Sequence, residues 1–263
     1  MKRECLATIL LLVCLSAPCA GVFADESAAA DDAASLPEPA VLVERALEAS
    51  GGRERLERTR SLEVKVDFAI PELRYFGAGE MYYRAPATFY SKSVIPRYGV
   101  FEQGSDGVRV WTRDPSRTPT WLEGLELDRA LLETRVHFVL SLEELYDWSG
   151  TIGSAEVEGV PAYEVLGVSK QGNTTSFFFS TETGLLLMLR SRFDSGIGEI
   201  TLLTIFDDYR DVDGILWPHK IRSRGVWQGR MSPEQVLTVK RIRENVEIPD
   251  KKFRLPKKLR EAK

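Results

Sequence analysis

The chain has 263 residues, 28% charged and 43% hydrophobic, with a formal net charge of −4, three cysteines and two histidines. Neutralising phosphates takes a Lys/Arg excess on one face, so this acidic balance excludes nucleic acid as a partner. His137 and His219 alone cannot build a three-histidine zinc site, and there is no Gly-x-Ser-x-Gly elbow to support a serine hydrolase.

Lys2 and Arg3, the apolar stretch from Leu6 to Pro18 and the small residues after it form the three-part pattern of a secretory signal. The apolar run is shorter than the roughly 20 residues a spanning helix needs, and Pro18 breaks it. Val22-Phe23-Ala24 places cleavage before Asp25. A lipid anchor at Cys19 is disfavoured because Pro18 stands where a lipobox takes Gly or Ala. Cleavage removes Cys5, Cys14 and Cys19 and the charges of Lys2, Arg3 and Glu4, leaving a cysteine-free mature chain of net charge −5. Residues 25–37 have little to bury and read as a flexible tether; residues 38–256 read as one domain, and 257–263 as a basic tail, the end of a solvated stretch from Lys251.

A helix is predicted from Pro39, with Val43, Ala46 and Leu47 at helical spacing and Gly51-Gly52 as its stop. A turn or two follows over 53–58, with Leu56 inward. From Leu62 the period becomes 2, with Leu62, Val64, Val66, Phe68 and Ile70 on one face. Further strands are predicted at about 73–84, 87–95, 98–104, 107–113, 152–158, 161–169, 175–180, 185–193, 199–208, 215–225 and 235–246. Turn residues such as Asp213-Gly214 link them into antiparallel hairpins. Between 120 and 148 the spacing is helical again, with Leu127, Leu131 and Phe138 on a wide apolar face. Ser141 and Glu144 fit a capping box for a second short helix from Leu142.

Phe177-Phe178-Phe179, Leu185 to Leu189 and Ile200 to Phe206 are apolar on both faces, so helices or a cavity must cover the second face. The predicted fold is mainly β with a few helices, an antiparallel, incompletely closed barrel wrapped around lid helices with an apolar concavity between. Alternation selects Phe68, Met81, Tyr83, Phe89, Trp111, Leu131, Phe138, Phe177, Leu187 and Leu202 as its lining. The acidic run Asp207 to Gly214 fails the EF-hand spacing, Ser195 to Gly198 lacks the third glycine and following helix of a dinucleotide fingerprint, and Asn173-Thr174-Thr175 is a weak sequon.

Three stretches, ALEASGGRERLERTRSLEVKVDF, DYRDVDGILWPHKI and VEIPDKKFRLP, together with the meander, resemble the LolA/LolB-like superfamily of bacterial envelope lipoprotein carriers. That resemblance implies helices lying across the opening of a barrel whose interior takes acyl chains, with 120–148 as the lid. The expectation is a periplasmic, monomeric, non-enzymatic carrier or sensor without cofactor or metal, not an integral membrane protein. It binds a lipid or lipoprotein acyl chain and has scope for an envelope protein partner. The alternative is an interaction or stress-sensing module of the same shape with a closed pocket. Mid-strand charges such as Lys65, Lys92, Arg190 and Arg192 oppose an outer-membrane barrel, and a hydrolase lacks a nucleophile–base pair.

Overall fold

The computed structural model describes residues 36–261 except 116–117, 171 and 195–197. The signal sequence, its cleavage site and residues 25–35 of the expected tether lie outside the described residues. The first helix, α1 (Pro39–Ala49), carries proline in its first turn, where a missing N–H costs nothing. Its buried stripe is Leu42, Val43, Ala46 and Leu47. Gly51 and Gly52 follow with φ of +129° and +87°, then α2 (Arg53–Glu57), which buries Leu56. A Cβ on Gly51 would lie 2.5 Å from the Gly214 carbonyl oxygen, besides straining the backbone. Gly51→Ala is therefore expected to cost about 2 kcal/mol, measured as a shift in urea midpoint. Gly52→Ala, whose Cβ would meet nothing within 4 Å, should cost only about 1 kcal/mol of backbone strain.

The first meander is β1 (Ser61–Ile70), β2 (Tyr75–Arg84), β3 (Thr88–Ile95), β4 (Gly99–Asp106), β5 (Val110–Arg113) and the short β6 (Thr120–Trp121). The second runs through β7 (Tyr146–Val157), β8 (Val160–Ser169), β9 (Thr174–Ser180), β10 (Leu186–Asp194), β11 (Glu199–Val212) and β12 (Ile215–Trp227), with β13 (Arg230–Met231) pairing on β12. The last strand, β14 (Gln235–Glu244), inserts between β1 and β12 and joins the two meanders into one 14-stranded antiparallel sheet of order β6-β5-β4-β3-β2-β1-β14-β12-β11-β10-β9-β8-β7. The sheet is strongly curved but not closed: β6 and β7 are its two edges.

The chain between those edges is α3 (Gly124–Glu133), a 3-10 turn (Phe138–Ser141) and α4 (Leu142–Leu145). The helical spacing predicted across 120–148 is thus broken. Thr134 ends α3 by donating its hydroxyl to the Leu131 carbonyl, and His137 is extended. A threonine that satisfies a carbonyl locally competes with helix continuation. The predicted second helix does start at Leu142, but the capping box does not form. Ser141 closes the 3-10 turn and makes no side-chain cap bond.

The basic C-terminal stretch packs where a solvated end was expected. Arg84 donates to the Ile248 carbonyl and pairs with Asp250, and Lys252 donates to Glu80 and to the Tyr82 hydroxyl. In α5 (Lys257–Glu261), Leu259 is buried.

Candidate apolar binding site and lid

The concave face is built from alternate residues of the curved sheet. Its larger half gathers Val165 of β8, Phe177 and Phe179 of β9, Leu186 and Leu189 of β10 and Phe206 of β11 against the stripe of α1. Phe138 stacks on Phe206 with ring centroids 5.7 Å apart, while Tyr146 and Trp148 meet Phe177 edge-on at 5.0 and 5.3 Å. The smaller half is Leu62, Val64 and Val66 of β1 with Met81, Tyr83, Leu237 and Val239, covered by Val136 from the segment between α3 and the 3-10 turn. Burial pushes the Tyr83 phenol pKa up.

Eight of the ten residues selected by alternation lie on this face or on the elements covering it. Phe177, Met81 and Tyr83 belong to its two halves, with Phe138 packed on the first. Phe89 is paired with Tyr83 and their rings lie 4.8 Å apart. Leu202 stands two residues from Thr204, which is opposite Leu189, and Phe68 follows Val66 at the far end of β1. Leu131 packs from α3 onto Val110 and Leu122.

Trp111 and Leu187 lie on the convex face instead. A bulge sets Leu186 opposite Phe179 and Met188 opposite Phe178, so Leu187 is the extra residue and packs with Phe178. A bulge breaks alternation without a sequence mark. Trp111 alternates with the inward Val110 and lies flat on β4, where a Cβ on Gly104 would be 2.6 Å from its indole nitrogen. Both faces of β5 offer an apolar residue, so periodicity does not choose between them.

The segment from α3 to α4 spans the seam as a lid. On one side Leu127, Ala130 and Leu131 pack against β5. On the other, Asp128 of α3 accepts hydrogen bonds from the Ser169 hydroxyl and, at 2.7 Å, from the Asn173 amide, a latch onto the β8–β9 turn. This contact also occupies the amide of the sequon. Sequence reasoning missed Asp128, because a single carboxylate on an amphipathic helix looks like part of its solvated face.

Beneath the lid, Glu244 at the end of β14 accepts from Arg55 at 2.8 Å, from Thr59 at 3.1 Å and from the Trp217 indole at 3.3 Å. His137 stacks on that same Trp217, centroids 4.6 Å apart, and its buried Nε2 has no hydrogen-bond partner. Burial first, and the positive charge of Arg55 second, bring its pKa down to about 4. Burial therefore favours the neutral imidazole in this packing.

A cavity of about 60 Å³ beside Asp128, Leu131 and Tyr146 opens under α3, well short of the roughly 300 Å³ at which ligand sites begin. Among the described residues, no helix is long and apolar enough to cross a membrane, and no three His, Cys, Asp or Glu side chains gather as a metal site.

No protein-family model and no curated protein matches the chain. Solved structures do. A LolA superfamily protein from Nitrosomonas europaea is 14% identical, with a TM-score of 0.59 over 84% of this chain and 99% of its own. A DUF1329 family protein from Desulfovibrio piger is 15% identical, with a TM-score of 0.56 over 82% of this chain and 96% of its own. A domain named for outer membrane lipoprotein sorting, from Vibrio parahaemolyticus, is 11% identical, with a TM-score of 0.51 over 80% of this chain and 97% of its own. At such identities the likeness concerns architecture, and the open sheet wrapped around α1 and a seam-spanning lid is a LolA-like fold.

Proposed function

We propose that the protein is a periplasmic, non-enzymatic carrier or sensor that binds an acyl chain of a lipid or lipoprotein on the concave face of the sheet. The observation that carries this reading is that both halves of the face carry an apolar cluster and that a lid of short elements packs onto them. Phe138, Val139, Leu140 and Leu145 pack into the larger half. A 3-10 turn and a four-residue helix have little stability of their own and rely on tertiary packing. Displacing them for an acyl chain exchanges one apolar filling for another, so little of the roughly 25 cal/mol per Å² of burial is lost. Unlocking needs the polar latch at Asp128, the apolar seat of α3, the His137–Trp217 stack and the seats of Val136 and Phe138 to give way.

The cysteine-free mature chain expected from the sequence permits a direct test. Asp128→Cys with Ser169→Cys replaces the latch by a disulfide across the seam. With the crosslink verified by mass, uptake of a fluorescent palmitate analogue is expected to fall at least about tenfold and to return on reduction. Equal uptake by the oxidised and reduced forms would remove lid opening from the account.

The small interior cavity favours a second reading, an envelope interaction or stress-sensing module of the same shape that keeps its pocket closed. It predicts no acyl uptake in either redox state.

A further inference from the structure

The end of the first meander formed by the β1–β2 and β3–β4 connections exposes apolar side chains. Phe76 is 59% exposed and Val94 44%. Phe76 stands opposite Ala69, and Val94 opposite the exposed Ala78, so the four form one patch across β1, β2 and β3. On β2 they alternate with Gly79 and Met81, which stand opposite the inward Val66 and Val64, so the patch lies on the convex face. Beyond it the two connections bring Arg74 and Arg97 to the tip, both with left-handed backbone at φ of 54° and 70°. Both are exposed, and neither has a carboxylate partner among the described residues. Their neighbours Tyr75 and Tyr98 meet with ring centroids 4.4 Å apart. Glu72, the acidic residue of this tip, is held by accepting the Glu234 amide at 3.2 Å.

The apolar character stops at a definite depth. Two residues inward from Ala78 a charged row crosses the same strands, with Lys65 on β1, Glu80 on β2 and Lys92 on β3. At roughly 3.3 Å per residue that row is about 13 Å from Phe76. An amphipathic element lying in a bilayer interface buries its apolar face by roughly 5–10 Å, so the patch can enter while the charged row stays in water. Asp67, beside Ala78, is paired with Lys240 at 3.3 Å.

We propose that this rim docks on an anionic membrane surface, with Phe76 and Val94 in the interface and Arg74 and Arg97 on the headgroups. β2 and β3 are interior strands, so the patch offers a partner protein no free strand edge. Unpaired guanidinium groups beside a tyrosine pair suit the headgroup layer, where side chains with an apolar body and a polar tip collect. The chain as a whole is acidic, so attraction to anionic lipid comes from this local charge and not from net charge. The proposal does not rest on acyl-chain binding, because the patch and the concave clusters lie on opposite faces of the sheet.

The test sediments the mature protein with sucrose-loaded vesicles, either one part phosphatidylglycerol to three parts phosphatidylcholine or phosphatidylcholine alone. Wild type is expected to bind the anionic vesicles at least about fivefold more tightly. R74Q/R97Q should remove that preference, and F76S/V94S should weaken binding at least about tenfold. Both variants replace exposed residues, and unchanged urea midpoints confirm that the fold is kept. V108S removes an apolar residue that is 76% exposed, from the turn at the opposite end of β4, and should change binding less than about twofold. Because the mature chain expected from the sequence lacks cysteine, a polarity-sensitive dye attached in V94C should shift to the blue on the anionic vesicles, and one attached in V108C should not. Absence of capture, equal capture by both vesicles, capture that survives F76S/V94S, or a blue shift in V108C but not in V94C overturns the proposal.

Discussion

Phe177→Ala is expected to lower the unfolding free energy by about 4 kcal/mol. Phe177 has no exposed surface, and its ring meets Tyr146, Trp148 and Phe179 with centroids 5.0, 5.3 and 6.5 Å away. It lies where β9, the start of β7 and the α1 stripe converge. Truncation loses both the transfer free energy of the ring and the contacts around the void, which three aromatic neighbours in a rigid sheet cannot collapse to fill. Urea unfolding of the variant and the parent measures the difference. The void also makes a discriminating ligand test: if the concave face takes acyl chains, the variant should bind a short-chain fatty acid at least as well as the parent despite being less stable.

The second large effect is a pH dependence carried by His137. Its folded pKa of about 4 lies below the ordinary histidine value of 6.5, so the unfolded chain binds the proton more readily. The contribution is therefore fully present above about pH 6.5, is lost as pH falls towards 4, and changes no further below that. The shift corresponds to about 3 kcal/mol at most. Carboxylates whose pKa is lowered, Glu63 beside Arg243 and Arg241, Glu80 beside Tyr82 and Lys252, and Glu158 beside Arg222, begin to lose their contributions as pH falls below about 5, through the ordinary carboxylate range. The window from about pH 6.5 to about 5 thus reports the histidine. Stability in that window should slope downward in the parent and flatten in His137→Phe. An unchanged slope in the variant would assign the effect elsewhere. Because the proton needs water at Nε2, acid should also raise the exposure of the concave face, read by binding of an apolar dye before global unfolding.

Most of the sheet was legible because one-sided strands alternate with period 2 and their turns carry Gly, Asp and Asn. The first of the three stretches behind the resemblance touches each of the other two. The Ser50 carbonyl accepts from the Leu216 amide, Arg55 donates to the Asp213 carbonyl, and Ser61 donates its hydroxyl to the Val246 carbonyl. The first stretch thus ties the other two to one region of the fold. What was not legible leaves no mark in the periodic pattern. The bulge at Leu187 turns one side chain over, and the break after α3 depends on the hydroxyl of Thr134. The two-residue strands β6 and β13 are too short to show a period. The basic C-terminal segment looks solvated until Glu80 and Tyr82, about 170 residues earlier, are seen to receive it.

The central claim is that the concave face holds an acyl chain once the lid moves. Native mass spectrometry of the mature protein, purified from a bacterial periplasm without detergent and followed by lipid extraction of the same sample, tests it most directly. The account predicts a reproducible adduct of lipid or acylated-peptide mass that is absent from the oxidised Asp128→Cys, Ser169→Cys form. A clean apo mass for the parent, with no extractable lipid, would contradict it and leave the closed interaction module as the better description.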